Sequence, residues 1–189
     1  VPPPTCNLHL ATFTMSQITV LGEALIDLFA ESGVALHEAK TFQPAPGGAT
    51  ANVAVALGRL GADVSFIGKV GEDGNGRYLI DLFADAGVDV THFVTDPGGP
   101  TMLALVALPT PTEPEFVIYN GANGLLRTEE LPKAEMLASQ IYIYSAVTLP
   151  SDSREAAVEG AKWARDAGQH VIFDVNLRPL QWPNLELAR

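Results

Sequence analysis

Apolar residues in this chain follow two alternating rhythms. From Gln17 onward, short β-branched runs give way to stretches in which apolar positions recur every three or four residues, and the alternation repeats along the chain. Runs of the first kind predict strands and stretches of the second kind predict amphipathic helices. Their alternation marks βαβ units on a largely parallel sheet, an α/β fold. A first strand is expected over 18–21. Residues 48–60 then carry Val53, Ala56, Leu57 and Leu60 at helical spacing and stop at Gly61. A strand over 64–67, a helix from about 77 to 86 ended by Gly87, and a strand around 88–94 follow.

The rhythm breaks between Gly98 and Gly124. Two extended runs, 102–108 and 115–119, flank a turn rich in proline (Pro109, Pro111, Pro114), which reads as a β-hairpin rather than a βαβ unit. An earlier extended stretch at 35–42 is expected to join it in a small β-lid, with lid segments about 28–46 and 98–121, over one end of the main sheet. An exposed lid edge of this kind could pair across a homodimer. The main rhythm resumes with a strand over 140–144, a helix over 152–167 and a strand over 170–174, and residues 185–189 look like the start of another helix. The chain therefore reads as truncated at its C-terminal end. Met15 reads as the natural start, with residues 1–14, headed by Pro2, Pro3 and Pro4, as a disordered leader.

Composition narrows the functional classes. Of 189 residues, 47% are apolar, enough for a sizeable core. The formal charge of −11 comes without any run of Lys or Arg able to track a phosphate backbone, so nucleic acid is not an expected partner. An anionic ligand would need a local positive charge or a helix N-terminus. Cys6 is the single cysteine, which precludes an intrachain disulfide and fits a reducing, cytoplasmic setting. His9, His37, His92 and His170 are scattered and suggest no metal site. No apolar run approaches the ~18 residues of a membrane span.

Four segments could carry chemistry. Gly47, Gly48, Ala49, Thr50, Ala51 and Asn52 lead two glycines directly into a helix, so a ligand could approach bare backbone while Asn52 offers both a donor and an acceptor. The same pair of glycines would serve a plain tight turn equally well. Asp27, in Gly22-Glu23-Ala24-Leu25-Ile26-Asp27, lies just beyond the first strand, where open α/β sheets place ligands, and a carboxylate there can accept two sugar hydroxyls. Standing alone it would be a surface turn residue. Gly71-Glu72-Asp73-Gly74-Asn75-Gly76 only superficially resembles a dinucleotide fingerprint, because its glycines are in the wrong order and two acids occupy the pyrophosphate position; it reads as a turn with a helix cap. Asp174, Asn176 and Arg178 follow a strand at alternate positions and would point the same way, with Arg178 suited to a phosphate or carboxylate.

Taken together and in this order, these segments resemble the PfkB (ribokinase-like) carbohydrate kinases, closest to the fructokinase branch, from about Ile18 to the C-terminus. The resemblance implies a three-layer α/β/α fold with a mostly parallel central sheet and a small β-sheet lid, of which 15–189 would be the N-terminal part. It also implies ATP-dependent phosphorylation of a small sugar, fructose in the first instance, with ATP and Mg2+ as cofactors. Asp27, Gly47, Gly48 and Asn52 would bind sugar hydroxyls, Tyr119 would be an aromatic sugar contact, and Asp174, Asn176 and Arg178 would lie towards the phosphoryl-transfer side. Thr50 stands where the family usually has Pro, which implies a less rigid start to the helix. The family's Gly-Ala-Gly-Asp motif, which supplies the anion hole and the Asp general base, does not occur in these 189 residues, so the chain alone is expected not to transfer phosphate. Three alternatives remain: a 2-keto-3-deoxygluconate kinase, in which Arg178 reads an acid group; a nucleoside kinase; and a non-catalytic binder on the same fold. A Rossmann oxidoreductase would need G-x-G-x-x-G at the first strand-to-helix turn, where this chain has the Asp27 segment.

Overall fold

A computed structural model of the chain describes residues 17–110 and 112–178, together with Trp182, Asn184 and Glu186. The expected leader at 1–14, the helix start at 185–189 apart from Glu186, and Pro111 of the hairpin turn lie outside the described residues. In chain order the strands are β1 (Ile18–Leu21), β2 (Leu25–Ala30), β3 (Phe42–Gly47), β4 (Val64–Gly71), β5 (Phe93–Asp96), β6 (Leu103–Thr110), β7 (Glu113–Tyr119), β8 (Ile141–Ser145) and β9 (His170–Asp174). The helices are α1 (Ala49–Arg59), α2 (Gly74–Asp85), α3 (Lys133–Ala138) and α4 (Arg154–Asp166), with 3-10 turns at Ala122–Leu125 and Thr128–Glu130.

Five strands form the central sheet in the order β5-β4-β1-β8-β9, every neighbouring pair parallel. All eight residues of β4 are buried, the pattern of a parallel strand covered on both faces. Register sets Val20, Phe66 and Ile143 side by side on one face, where they pack with Ala51, Ala54, Leu79 and Phe83 from α1 and α2. The next residues along, Leu21, Ile67 and Tyr144, face the other side with Met136 of α3 and Ala156 and Ala164 of α4. The period-two alternation of each strand thus separates two apolar cores and produces the three layers. At the sheet's far edge, β9 is exposed along its whole length.

The lid is a second sheet, of order β3-β2-β6-β7, mixed because β2 runs parallel to β6 and antiparallel to β3. Here the structure departs from the sequence expectation. Residues 25–27, expected just beyond the first strand, join 28–30, expected in the lid, in one strand of the lid sheet, so Asp27 projects from that sheet. Residues 35–39 are not extended: Glu38 and Ala39 donate backbone hydrogen bonds to Ala35 O and close a turn. The strand lies further on, at β3, where Pro44 and Pro46 are tolerated because an edge strand leaves N–H positions unpaired. Similarly, the strand expected at 88–94 begins only at Phe93. Its N–H turns back to Val90 O, and Asp89 contributes only an isolated bridge to Ser65.

Candidate sugar-binding cleft

After β1 the chain turns up into the lid, and a cleft of about 340 Å3 opens between the lid and the carboxyl ends of β1 and β8. That volume lies within the range of small-molecule sites, and the location is where open α/β sheets place their ligands. The start of α1 contributes Gly48, Ala49 and Asn52 to the wall. The lid contributes Leu25 and Asp27 from β2, Ala104 from β6, and Phe116 and Ile118 from β7. Val147 follows β8, while Asn176 and Arg178 follow β9. Glu23 and Met102, each 1% exposed, form the floor.

Two glycines shape the polar side. Gly48 precedes α1 at φ 113° and ψ 133°, a conformation that side chains resist, and the helix has no side-chain cap from that position. Gly47 is paired with Leu25 across the β2–β3 ladder, and a Cβ there would overlap Asp27 Oδ2. The missing side chain at 47 is therefore the space in which the Asp27 carboxylate sits. Burial holds that carboxyl above its ordinary value, since water that would solvate the charge is partly excluded.

The first free N–H of α1, on Ala49, donates to Glu23 Oε1 at 2.7 Å. Thr50, 1% exposed, donates its hydroxyl towards Glu23 O at 3.1 Å and Oε2 at 3.3 Å. The looser helix start expected from the absence of proline at this position is thus offset by a side-chain tether that proline could not make.

Of the residues singled out in the sequence, the structure brings Asp27, Gly48, Asn52, Asn176 and Arg178 into one cleft, with Gly47 directly behind Asp27. Arg178 lines the same cavity as Asp27. Asp174 does not line it; its Oδ1 accepts the Asn176 N–H at 3.1 Å and so shapes the turn that carries Asn176. Tyr119 is also absent from the cleft. Ile118 pairs with Ala104 on the cleft face, so Tyr119, opposite Leu103, projects to the other side and is 55% exposed. Phe116, two residues before Ile118, is the aromatic side chain that faces the cleft. Sequence reasoning passed over Phe116, Ile118 and Glu23. The hairpin's alternation would have separated Phe116 and Ile118 from Tyr119 had the face of Asp27 been known.

The Gly71–Gly76 turn holds the base of the lid. Asp73 is the N-cap of α2, accepting from Gly76 N–H at 2.8 Å, and it also accepts from the N–H and hydroxyl of Thr101 at 2.8 and 2.7 Å. Nearby, Lys69 Nζ reaches Glu130 at 2.7 Å, Asp96 at 3.0 Å and Leu125 O at 3.2 Å, pinning the segment that leaves the lid. Among the described residues no three acidic, histidine or cysteine side chains gather into a metal cage. No helix among the described residues is long and apolar enough to cross a membrane.

Comparison with known proteins agrees with this geometry. Residues 15–189 match the family described as pfkB family carbohydrate kinase. The chain belongs to that family. It is 39% identical over 176 residues to fructokinase-1 of Zea mays, covering 91% of this chain and 54% of the relative. Against the aminoimidazole riboside kinase of Salmonella typhimurium it is 35% identical over 175 residues, covering 91% and 52%. The crystal structure of a fructokinase with bound ATP from Xylella fastidiosa superposes with a TM-score of 0.80 at 38% identity, covering 89% of this chain and 55% of that one. The chain thus spans about half the length of the relatives it matches.

Proposed function

We propose that this chain forms the sugar-binding part of an ATP-dependent sugar kinase whose acceptor is fructose. The single observation that carries the proposal is the convergence of Asp27, Asn52 and Arg178 on one cleft beneath the lid. Asp27 accepts hydrogen bonds from two sugar hydroxyls, a role suited to an acceptor-only carboxylate, and Asn52 donates to one hydroxyl and accepts from another. Gly48 lets the sugar approach the backbone at the start of α1. Phe116 and Ile118 cover the apolar face of the ring and exclude water. Arg178, with Asn176 beside it, balances charge on the phosphoryl group as it approaches the acceptor hydroxyl. None of these residues is assigned the removal of the hydroxyl proton, a task the resemblance gives to a Gly-Ala-Gly-Asp motif outside these 189 residues.

The position of Arg178 also favours a second reading. A guanidinium in the same cavity as the polyol contacts suits a sugar acid such as 2-keto-3-deoxygluconate. The test is an ADP-release assay on the product of the complete reading frame, with MgATP and fructose, ribose, 2-keto-3-deoxygluconate or adenosine, and Asp27→Ala as control. Fructose is expected to give turnover that the control loses. Preference for the acid would select the second reading, and a folded protein silent on all four would contradict both.

A further inference from the structure

Glu23 is 1% exposed, and no Lys, Arg or His pairs with it among the described residues. A buried carboxylate without a cation is expensive to keep, so its acceptor capacity must be used. Here both oxygens are occupied. Oε1 takes the Ala49 N–H, and Oε2 faces the hydroxyls of Thr50, Ser145 and Thr148 at 3.3, 3.3 and 3.4 Å. Thr50, Ser145 and Thr148 are themselves buried, at 1%, 0% and 3% exposure, so this is a closed polar cluster rather than a hydrated one.

These partners come from two walls of the cleft. Ala49 and Thr50 open α1, one turn from Asn52; Ser145 ends β8, and Thr148 follows Val147, whose N–H also donates to Ser145 Oγ at 3.3 Å. Gly48 must be glycine for its backbone angles and so has no side chain with which to cap α1. Glu23 supplies the missing cap from behind, leaving the bare backbone of Gly48 turned to the cavity.

We infer that Glu23 is a positioning residue for the sugar: by capping α1 from beneath and tying it to the end of β8, it sets the distance between the Asn52 wall and the Val147 wall of the cleft. Its oxygens are saturated by protein donors, so it acts through Ala49, Thr50, Ser145 and Thr148 and not by touching substrate. The inference rests on the sugar-kinase reading for its functional consequence, but not for its structural one.

The test uses the product of the complete reading frame with Glu23→Ala, Glu23→Gln and Ser145→Ala, and it has two readouts. In steady-state kinetics Glu23→Ala is expected to raise the sugar KM about tenfold or more while leaving the ATP KM unchanged, since a lost helix cap and a displaced wall weaken sugar contacts first. Glu23→Gln is expected to restore most of that loss: its amide oxygen can still accept the Ala49 N–H, and two of the three hydroxyls can turn to accept the two amide hydrogens. Ser145→Ala, which removes one hydroxyl and folds even if Glu23→Ala does not, should raise the sugar KM about two- to threefold. Amide hydrogen exchange over residues 49–52 should quicken in Glu23→Ala, whether or not any sugar is turned over. An unchanged sugar KM, an equal rise for sugar and ATP, or a Gln variant as impaired as Ala would overturn the inference. Absence of sugar turnover by the parent protein would instead count against the sugar-kinase reading, and the exchange readout would then decide the role of Glu23 separately.

Discussion

Replacing Gly47 by alanine tests the geometry of the cleft with a single methyl group. The new Cβ would overlap Asp27 Oδ2 and lie 2.8 Å from Asp27 Cγ and 3.1 Å from Leu25 Cδ1. Gly47 does not have a positive φ, so the backbone accepts alanine and the clash must be relieved by the side chains. The carboxylate is the mobile end, and it swings away from the position in which it is proposed to meet the sugar. Two hydrogen bonds to an ionised acceptor are worth about 1.5–3 kcal/mol each, and misplacing them forfeits roughly half of the sum, about 1.5–3 kcal/mol. That corresponds to a fall of about 10- to 150-fold in kcat/KM for fructose. Crowding of Leu25 should cost no more than ~1 kcal/mol of stability, so the variant stays folded. The assay is steady-state turnover of Gly47→Ala, Asp27→Ala and the double variant, with thermal melting of each. If the methyl acts by moving Asp27, its effect should vanish once Asp27 is already alanine, giving strongly non-additive losses. Full additivity, or a Gly47→Ala kcat/KM within twofold of the parent, would refute the placement of Asp27 against the substrate.

Asp27→Asn should abolish most sugar turnover yet melt at a higher temperature at neutral pH. A carboxyl whose folded value is raised by burial costs stability once ionised, and the amide removes that cost. The acid limb of kcat/KM in the parent should lie above the ordinary aspartate value of 3.8, because protonation removes the acceptor. Gly48→Ala forces a side chain into φ 113° and against Glu23 O, and should cost about 2 kcal/mol by denaturant unfolding. Lys69→Met strands the carboxylates of Asp96 and Glu130. Lys69 is 3% exposed but these partners are 25% and 37% exposed, so the loss should be about 2 kcal/mol, short of a fully buried pair. For Glu130, burial pushes the carboxyl up but Lys69 and the Arg127 N–H together more than offset it; for Asp96, the Lys69 hydrogen bond leads. Both are held below their ordinary values, so the stability they add is present above pH ~4.5 and is lost as pH falls further; in melts across pH, Lys69→Met should flatten that acid limb.

Much of the parallel sheet was legible because β4, β5 and β9 follow helices closed by Gly61, Gly87 and Gly168, and the buried run of β4 has no competing reading. The lid was less legible. Residues 25–30 carry the same apolar rhythm as a turn-flanked continuation of β1, and only pairing with β3 and β6 reveals them as a strand of another sheet. The extended stretch placed at 35–42 lies instead at β3, whose Pro44 and Pro46 an edge strand tolerates. That Asp27, Gly48, Asn52 and Arg178 line one cleft follows from their places beyond strand ends and at a helix start, while the roles given to them came from the family resemblance. Tyr119 was misplaced because a hairpin's faces depend on register, which the Pro109–Pro114 turn conceals. Glu23 was passed over because burial is invisible in sequence: its partners Ser145 and Thr148 lie more than a hundred residues away.

The most direct measurement is a crystal structure of the complete protein with fructose bound. The account predicts the sugar beneath the lid, with two hydroxyls within hydrogen-bond distance of Asp27 and one of Asn52, and Phe116 over the ring. A sugar bound outside this cleft, or one in the cleft with Asp27 turned away, would contradict it.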